Sequence, residues 1–286
     1  MNSQEYIEVS VRIAPFTEEN AEILMAELAE LPFESFDTED GCLKCYIQKE
    51  LYNPQTLKIV LSGLEYGFDA SGFSANLISA ANWNAAWESG FTPIVVDGKC
   101  TIKAPYHKDL KKTRFNITIN PNMAFGTGHH QTTYMMCKAL LDNRQEVKGR
   151  TVTDMGCGTA VLAILAAKLS ARHVYGIDID AVAAISALDN ARKNRVSHIV
   201  ETYCGDASLL QAGSYDIMLA NINRNILLQD IPTYSRSLRK GGLLFMSGFY
   251  MEDLPMITEA AKSAGFTPDG HESMDNWCCA KFVKTK

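Results

Sequence analysis

Thr151-Val152-Thr153-Asp154-Met155-Gly156-Cys157-Gly158-Thr159-Ala160-Val161-Leu162-Ala163-Ile164-Leu165-Ala166 reads as a strand, a glycine turn and a helix start. The residues 151–154 form a short β-run, and the apolar face of Val161, Leu162, Ile164, Leu165 and Ala166 predicts a helix from about Ala160 to Leu169. Working outward from that unit, the pattern repeats. Strands at His173–Ile177, Ile199–Tyr203, Tyr215–Leu219 and Leu243–Ser247 alternate with helices over Ala181–Asn194, Leu227–Leu238 and Leu254–Ala264. Lys240-Gly241-Gly242 reads as a helix stop, and a last strand lies near Cys278–Val283. Strands alternating with longer helices predict a parallel α/β sheet, the Rossmann-like class, for residues 120–286.

In such a sheet, ligands bind beyond the carboxyl ends of the strands, and the first strand–helix turn is part of the site. Gly156 and Gly158 let the backbone turn sharply and come close to a ligand, and the N–H groups of the helix start are expected to face an anion. The spacing separates cofactors. A dinucleotide fingerprint needs glycine where Val161 stands, and a Walker A loop needs Gly-Lys-Ser/Thr, which this turn lacks. What remains is the short G-x-G of adenosylmethionine-binding enzymes. Asp178, at the end of the second strand, suits an acid that accepts the ribose hydroxyls. It also suits a helix N-cap, although Asp180 is better placed for that role.

The first eighty residues have a different grammar. A strand at Tyr6–Ile13, a helix from a Thr17 cap through Leu31, strands near Phe33–Thr38 and Cys42–Lys49, a helix Pro54–Leu64 and a strand near Phe68–Ser79 give the order βαββαβ. That order predicts a small ferredoxin-like α+β domain over 1–80. Residues 81–119 read as a linker helix, with Trp83 and Trp87 on one face, followed by connecting strands such as Ile94-Val95-Val96.

Composition narrows the class. The chain has 286 residues, 47% hydrophobic and 21% charged, which is globular usage. No run approaches the apolar length of a membrane span, and the start lacks the basic and apolar regions of a secretory leader, so a cytoplasmic protein is expected. The eight cysteines are scattered and read as reduced thiols. Cys42-Leu43-Lys44-Cys45 lacks the second ligand pair of a zinc site and sits in a strand-like run, so no metal is expected. Charge is uneven. Up to residue 80, fourteen acids face four bases, a net −10 that leaves +4 for the remainder of a chain whose total is −6. An amino-terminal region this acidic repels nucleic acid and attracts a basic macromolecule, though it equally suits a solvated surface.

The most specific segment is Asn120-Pro121-Asn122-Met123-Ala124-Phe125-Gly126-Thr127-Gly128-His129-His130-Gln131-Thr132-Thr133. It resembles the signature of the bacterial family that methylates the eleventh protein of the large ribosomal subunit, which reads Asp-Pro-Gly, then Ala-Phe-Gly-Thr-Gly, then His and Thr-Thr. Asn120 and Asn122 replace the family's aspartate and glycine, and Ala160 replaces its last turn glycine. The resemblance spans the chain, including the Trp83/Trp87 segment and the Asn276-Trp277-Cys278 ending. It implies a class I methyltransferase domain, S-adenosyl-L-methionine as cofactor, and cofactor contacts at Thr133, Gly156, Asp178 and Asn221. Asn221 is also the residue expected to hold the acceptor amine, at the place where amino-group methyltransferases read Asn-Pro-Pro-Tyr and this chain reads Asn221-Ile222-Asn223-Arg224. Read without the resemblance, Thr133 suits helix packing and Asn221 a strand-end turn. His129 and His130 point apart and find no third ligand.

The resemblance implies transfer to lysine ε-amines and to the terminal amine of a basic ribosomal protein, held by the acidic domain, with no direct contact to nucleic acid and no membrane. The rival readings are an RNA or release-factor methyltransferase and a silent adenosylmethionine-binding scaffold.

Overall fold

The computed structural model describes residues 5–28, 31–33, 35–39, 41–64, 67–78, 92–108, 110, 113–120 and 131–286, with backbone alone at 18, 19, 22 and 26. The predicted Trp83/Trp87 helix and positions 121–130 of the signature segment lie outside the described residues. The chain divides into two compact units, Met1–Gly90 and Phe91–Lys286.

In the first unit, β1 (Tyr6–Arg12), β2 (Ser35–Glu39), β3 (Cys42–Gln48) and β4 (Phe73–Ile78) form a four-stranded sheet in the order β2-β3-β1-β4. All three pairings are antiparallel, and β3 separates β1 from β2. The period-2 alternation of these strands sends Val9, Val11, Leu43 and Cys45 to one face, where they meet Ala21, Leu24 and Leu28 of helix Glu18–Leu28 and Leu57 and Leu61 of helix Pro54–Ser62. Thr17 caps the first helix through its Oγ1, which accepts the Asn20 N–H at 3.1 Å. Asn53 caps the second, accepting from Gln55 and Thr56. Cys45 is buried and its thiol is pushed up to about 12 by desolvation, the behaviour of a core side chain.

The second unit carries a seven-stranded sheet ordered β10-β9-β8-β11-β12-β14-β13. Its strands are β8 (Thr151–Met155), β9 (His173–Asp178), β10 (Val200–Cys204), β11 (Tyr215–Asn221), β12 (Leu238–Tyr250), β13 (Phe266–Met274) and β14 (Trp277–Lys284). The five strands β10, β9, β8, β11 and β12 are parallel neighbours, and β14 and β13 add an antiparallel hairpin at one edge. The chain order therefore reverses at β8, which puts the β8 turn at the switch point. Helix Val161–Lys168 is buried from Val161 to Ala167, so its all-round apolar sequence reflects a place inside the core.

Three features differ from the sequence reading. First, β5 (Ile94–Val96), β6 (Cys100–Lys103) and β7 (Phe115–Thr118) form their own small sheet, and Val96, Cys100, Ile102 and Ile117 share the core of the large unit. The segment expected to connect two domains is thus partly built into the second unit, because its strands alternate apolar residues toward the helix Gln131–Asp142 and Val161–Lys168 side. Second, Lys240-Gly241-Gly242 does not stop a helix ahead of the strand. Pairing with β11 jumps from Tyr215↔Leu238 to Ile217↔Leu243, so those residues form a bulge within β12, with Gly241 at φ 78°. Third, β13 has no counterpart in the sequence reading. Apart from Phe266 its residues are exposed, and Pro268 begins a register shift that ends at His271, so neither alternation nor β-propensity marks it. No helix among the described residues is long and apolar enough to cross a membrane.

The β13–β14 turn consists of Asp275 and Asn276, both left-handed at φ 47° and 65°, the geometry of a two-residue hairpin that matches strand twist. Asn tolerates that region and β-branched residues do not. Asn276→Val is expected to lower unfolding stability by about 1–2 kcal/mol, and Asn276→Gly to leave it within about 0.5 kcal/mol, in urea titrations followed by circular dichroism.

Candidate functional site

The carboxyl ends of β8, β9, β10 and β11 surround an open cavity of about 870 Å³, lined among others by Gly156, Gly158, Asp178, Asp206, Asn221 and Ile222. Three of the four residues expected at a cofactor site line it, and the fourth is one hydrogen bond away. Thr133 is buried on helix Gln131–Asp142, and its Oγ1 accepts a hydrogen bond from Asn221 Nδ2 at 3.2 Å.

Both positions of the turn have the left-handed backbone that favours glycine, Gly156 at φ 66° and Gly158 at φ 51°. At Gly156 there is a second reason, because a Cβ would overlap the Ile222 side chain. The turn is thus packed against the exit of β11, and what Gly156 gives up in side chain allows Asn221 and the turn to face one cavity.

Four amides of the turn are already taken by the protein. Gly156 and Cys157 N–H both donate to the Ile177 carbonyl, at 2.8 and 3.1 Å, and Ala160 N–H donates to the Cys157 carbonyl at 2.7 Å. Gly158 N–H donates to Asp178 Oδ2 at 2.8 Å. The turn therefore meets a ligand with close-packed backbone, and these four amides are satisfied by the protein itself. Asp178 serves twice, since its Oδ1 accepts the Asp180 N–H at 3.0 Å. Asp180 caps helix Ala181–Lys193 through Val182 N–H at 2.8 Å, which removes N-capping from the roles of Asp178. Each Asp178 oxygen keeps a lone pair beyond its backbone bond, which fits an acid that accepts two hydroxyls.

Asn221 closes β11 as the strand's last residue. With Nδ2 committed to Thr133, its Oδ1 is buried and has no hydrogen-bond partner among the described residues. A buried carbonyl oxygen left without a donor is costly. Asn223 then caps helix Arg224–Ser237 by accepting the Ile226 N–H at 3.1 Å, and Arg224 holds Asp253 at 2.8 Å across the β12 exit. Metal-ligating groups of three or more His, Cys, Asp or Glu do not occur among the described residues.

Sequence reasoning gave no role to Asp154, Asp206 or Gly248. Asp206 follows β10 and caps Ser208 N–H at 2.8 Å. Its Gly205-Asp206 pair at a strand end was the available signal. Gly248 lies at φ 92° against the Ile222 backbone, where a Cβ would overlap the Ile222 carbonyl, so Ile222 is wedged between two glycines. Asp154 is buried beneath the turn, and one oxygen accepts the Ala163 N–H at 3.1 Å. It thereby caps helix Val161–Lys168, whose own N-cap residue, Ala160, has no acceptor side chain. Burial pushes the Asp154 carboxyl up to about 7, against the lowering effect of the Ala163 amide, and the Asp178 charge adds to the rise.

Placed beside known proteins, the chain matches the family model described as Ribosomal protein L11 methyltransferase (PrmA) over residues 8–285. A ribosomal protein L11 methyltransferase of Bacteroides fragilis is 41% identical over 280 residues, covering 97% of this chain and 99% of the relative. One from Chlorobaculum parvum is 32% identical over 266 residues, 91% of each chain. Among solved structures, a ribosomal protein L11 methylase from Lactobacillus delbrueckii subsp. bulgaricus superposes with a TM-score of 0.62 at 28% identity. It covers 68% of this chain and 100% of that one.

Because the folded Asp154 keeps its proton up to about pH 7 while the unfolded chain releases it near pH 4, the folded state binds more protons in that window. Stability is therefore expected to fall as pH rises from about 4 to 7, and Asp154→Asn to remove that part of the slope. Urea midpoints of both proteins at pH 5 and pH 8 measure it: the variant gains on the wild type at the higher pH.

Proposed function

The chain belongs to the ribosomal protein L11 methyltransferase family, and we propose that it transfers methyl groups from S-adenosyl-L-methionine to lysine ε-amines and the terminal α-amine of that ribosomal protein. The observation that carries this reading is Asn221 Oδ1, buried, lining the cavity and without a partner among the described residues, in a chain that matches the family from residue 8 to 285.

The residues present fit the cofactor. The cavity has the volume for a nucleoside, two glycines bring backbone to its edge, and Asp178 and Asp206 give it a negative lining that suits a sulfonium cation. Gly156, Asp178, Thr133 and Asn221 are the residues assigned to hold it. When bound, S-adenosyl-L-methionine supplies an electrophilic methyl group on positively charged sulfur.

The protein's part is to deliver a neutral, aimed amine. A free lysine titrates near 10.4, so the nitrogen must lose a proton before it can attack. Taking it into a partly desolvated pocket favours the neutral form. Asn221 Oδ1 then accepts one N–H of that amine, which turns the lone pair away from the carboxamide and toward the methyl group. A carboxamide suits this better than a carboxylate would, since a negative oxygen would hold the proton on. Among the described histidines, none lines the cavity. Holding both reactants in line is worth up to roughly 7–11 kcal/mol.

The substrate-holding role falls to residues 1–80, and catalysis to the second unit, Phe91–Lys286. Net charge supports the division: the −10 of residues 1–80 attracts a basic protein and opposes an RNA backbone, which is why an RNA substrate is the weaker reading. Lys44 and Lys49, two of the four bases there, are themselves paired with Glu39 and Glu5. A cytoplasmic location follows from the substrate, which is made and assembled there.

Incubation with the purified ribosomal protein and cofactor is expected to add masses of about 14 Da per methyl group, read by mass spectrometry, on lysines and the amino terminus. Label appearing in RNA or a release factor instead would remove this reading. Asn221→Ala is expected to keep cofactor affinity within several-fold while transfer drops about 100-fold or more, and unchanged transfer would show that Asn221 does not orient the amine.

A further inference from the structure

Ala160 is the only residue of the 156–160 turn that combines a side chain with a left-handed backbone, at φ 62° and ψ 25°. In sequence it passes for a helix start that tolerates alanine. The structure shows instead a position where L-residues with a Cβ are disfavoured. Ala160 is also fully buried, so the surrounding structure must impose the conformation.

The φ of a residue is set by the orientation of the peptide plane in front of it. Here that plane is fixed at both ends. Its N–H, on Ala160, donates to the Cys157 carbonyl at 2.7 Å. Its carbonyl, on Thr159, accepts a hydrogen bond from Asn190 Nδ2 at 3.1 Å. Asn190 stands on helix Ala181–Lys193 with no exposed surface. Its other terminus reaches a second place of interest: Oδ1 accepts the backbone N–H of Asn120, the first residue of the signature segment, at 2.9 Å. One helical turn on, Asn194 accepts the Thr118 N–H at 2.9 Å and donates to the Thr118 carbonyl at 2.6 Å, so the approach to that segment is clamped twice.

We propose that Asn190 is a positioning residue for the cofactor, holding the turn at Ala160 in its left-handed form and tying it to the root of the signature segment. The role rests on the reading of this turn as part of the S-adenosyl-L-methionine site. Side-chain chemistry limits what can do it. Asparagine offers a donor to Thr159 and an acceptor to Asn120 from one planar group, whereas aspartate would lack the donor and place a charge where no water reaches. The anchor matters because position 160 carries a Cβ. With glycine there, the left-handed backbone needs little enforcement, and the Asn190–Thr159 bond becomes nearly redundant for the turn.

The dependence of one residue on the other is measurable as a double-mutant cycle in the full chain, read by calorimetric binding of S-adenosylhomocysteine. Asn190→Ala is expected to weaken binding about tenfold, and by less than about threefold when combined with Ala160→Gly, which alone changes binding by less than about threefold. An equal loss in both backgrounds, or none in either, overturns the proposal. Should Asn190→Ala fail to fold, Asn190→Ser takes its place in the same cycle with the same expectation. Thermal midpoints recorded alongside are expected to fall for Asn190→Ala in both backgrounds, so a merely structural loss does not reproduce the rescue. A wild-type chain that binds S-adenosylhomocysteine but methylates no ribosomal protein removes the proposed substrate, while the coupling between Asn190 and Ala160 is still read from binding alone.

Discussion

Between Met155, the last residue of β8, and Val161, the first of the following helix, the chain has five residues in which to reverse direction, and three of them take positive φ. Such a turn is not stable by local preference alone when one of the three is an alanine. It is held by what surrounds it. The Ile177 carbonyl takes two of its amides, the Asp178 carboxylate a third, and Asn190 the Thr159 carbonyl, while Ile222 fills the space that Gly156 leaves. Strands β9 and β11 and helix Ala181–Lys193 thus meet at one turn. The cavity owes its shape to that convergence, because the same contacts place Asp178 and Asn221 in its lining.

What the sequence could carry was local. The parallel sheet was legible because each strand is a short apolar run next to a helical one, and Asp180 was legible as a cap because the cap lies two residues from the amide it serves. The candidate site residues were reached in two ways. Gly156 and Asp178 follow from spacing within one strand–helix unit, whereas Thr133 and Asn221 needed the family signature, since 88 residues separate the two atoms that meet. Nothing local announces that Asn190 reaches back 70 residues to Asn120, or that Ala160 is left-handed. Asp154 looked like a strand end; only the packing of helix Val161–Lys168 over it turns the carboxyl into a cap with a raised pKa. β13 escaped for the opposite reason, having too little burial to leave a pattern.

Electrostatics are organised on two scales. Within the large unit, carboxylates gather near the cavity at Asp178 and Asp206, and Asp230 on helix Arg224–Ser237 is buried enough for its pKa to be raised. Across the chain, the −10 of residues 1–80 contrasts with +4 for the rest. The first arrangement favours a small cation at short range. The second acts over a Debye length or so and governs encounter more than final affinity, so added salt affects the two differently.

The outermost strand of the large sheet has a bearing on how the molecule behaves in company. An open sheet edge invites pairing with any other unpaired edge. Here β13 interrupts its own ladder at Pro268 and His271, and two of its acids are tethered: Asp269 to Lys281 at 2.7 Å and Glu272 to Lys138 at 2.5 Å. A neighbour seeking to add a strand would find a bent, proline-bearing border fastened down by ion pairs. Such a border disfavours edge-to-edge pairing on that flank, at the expense of a strand that carries almost no core.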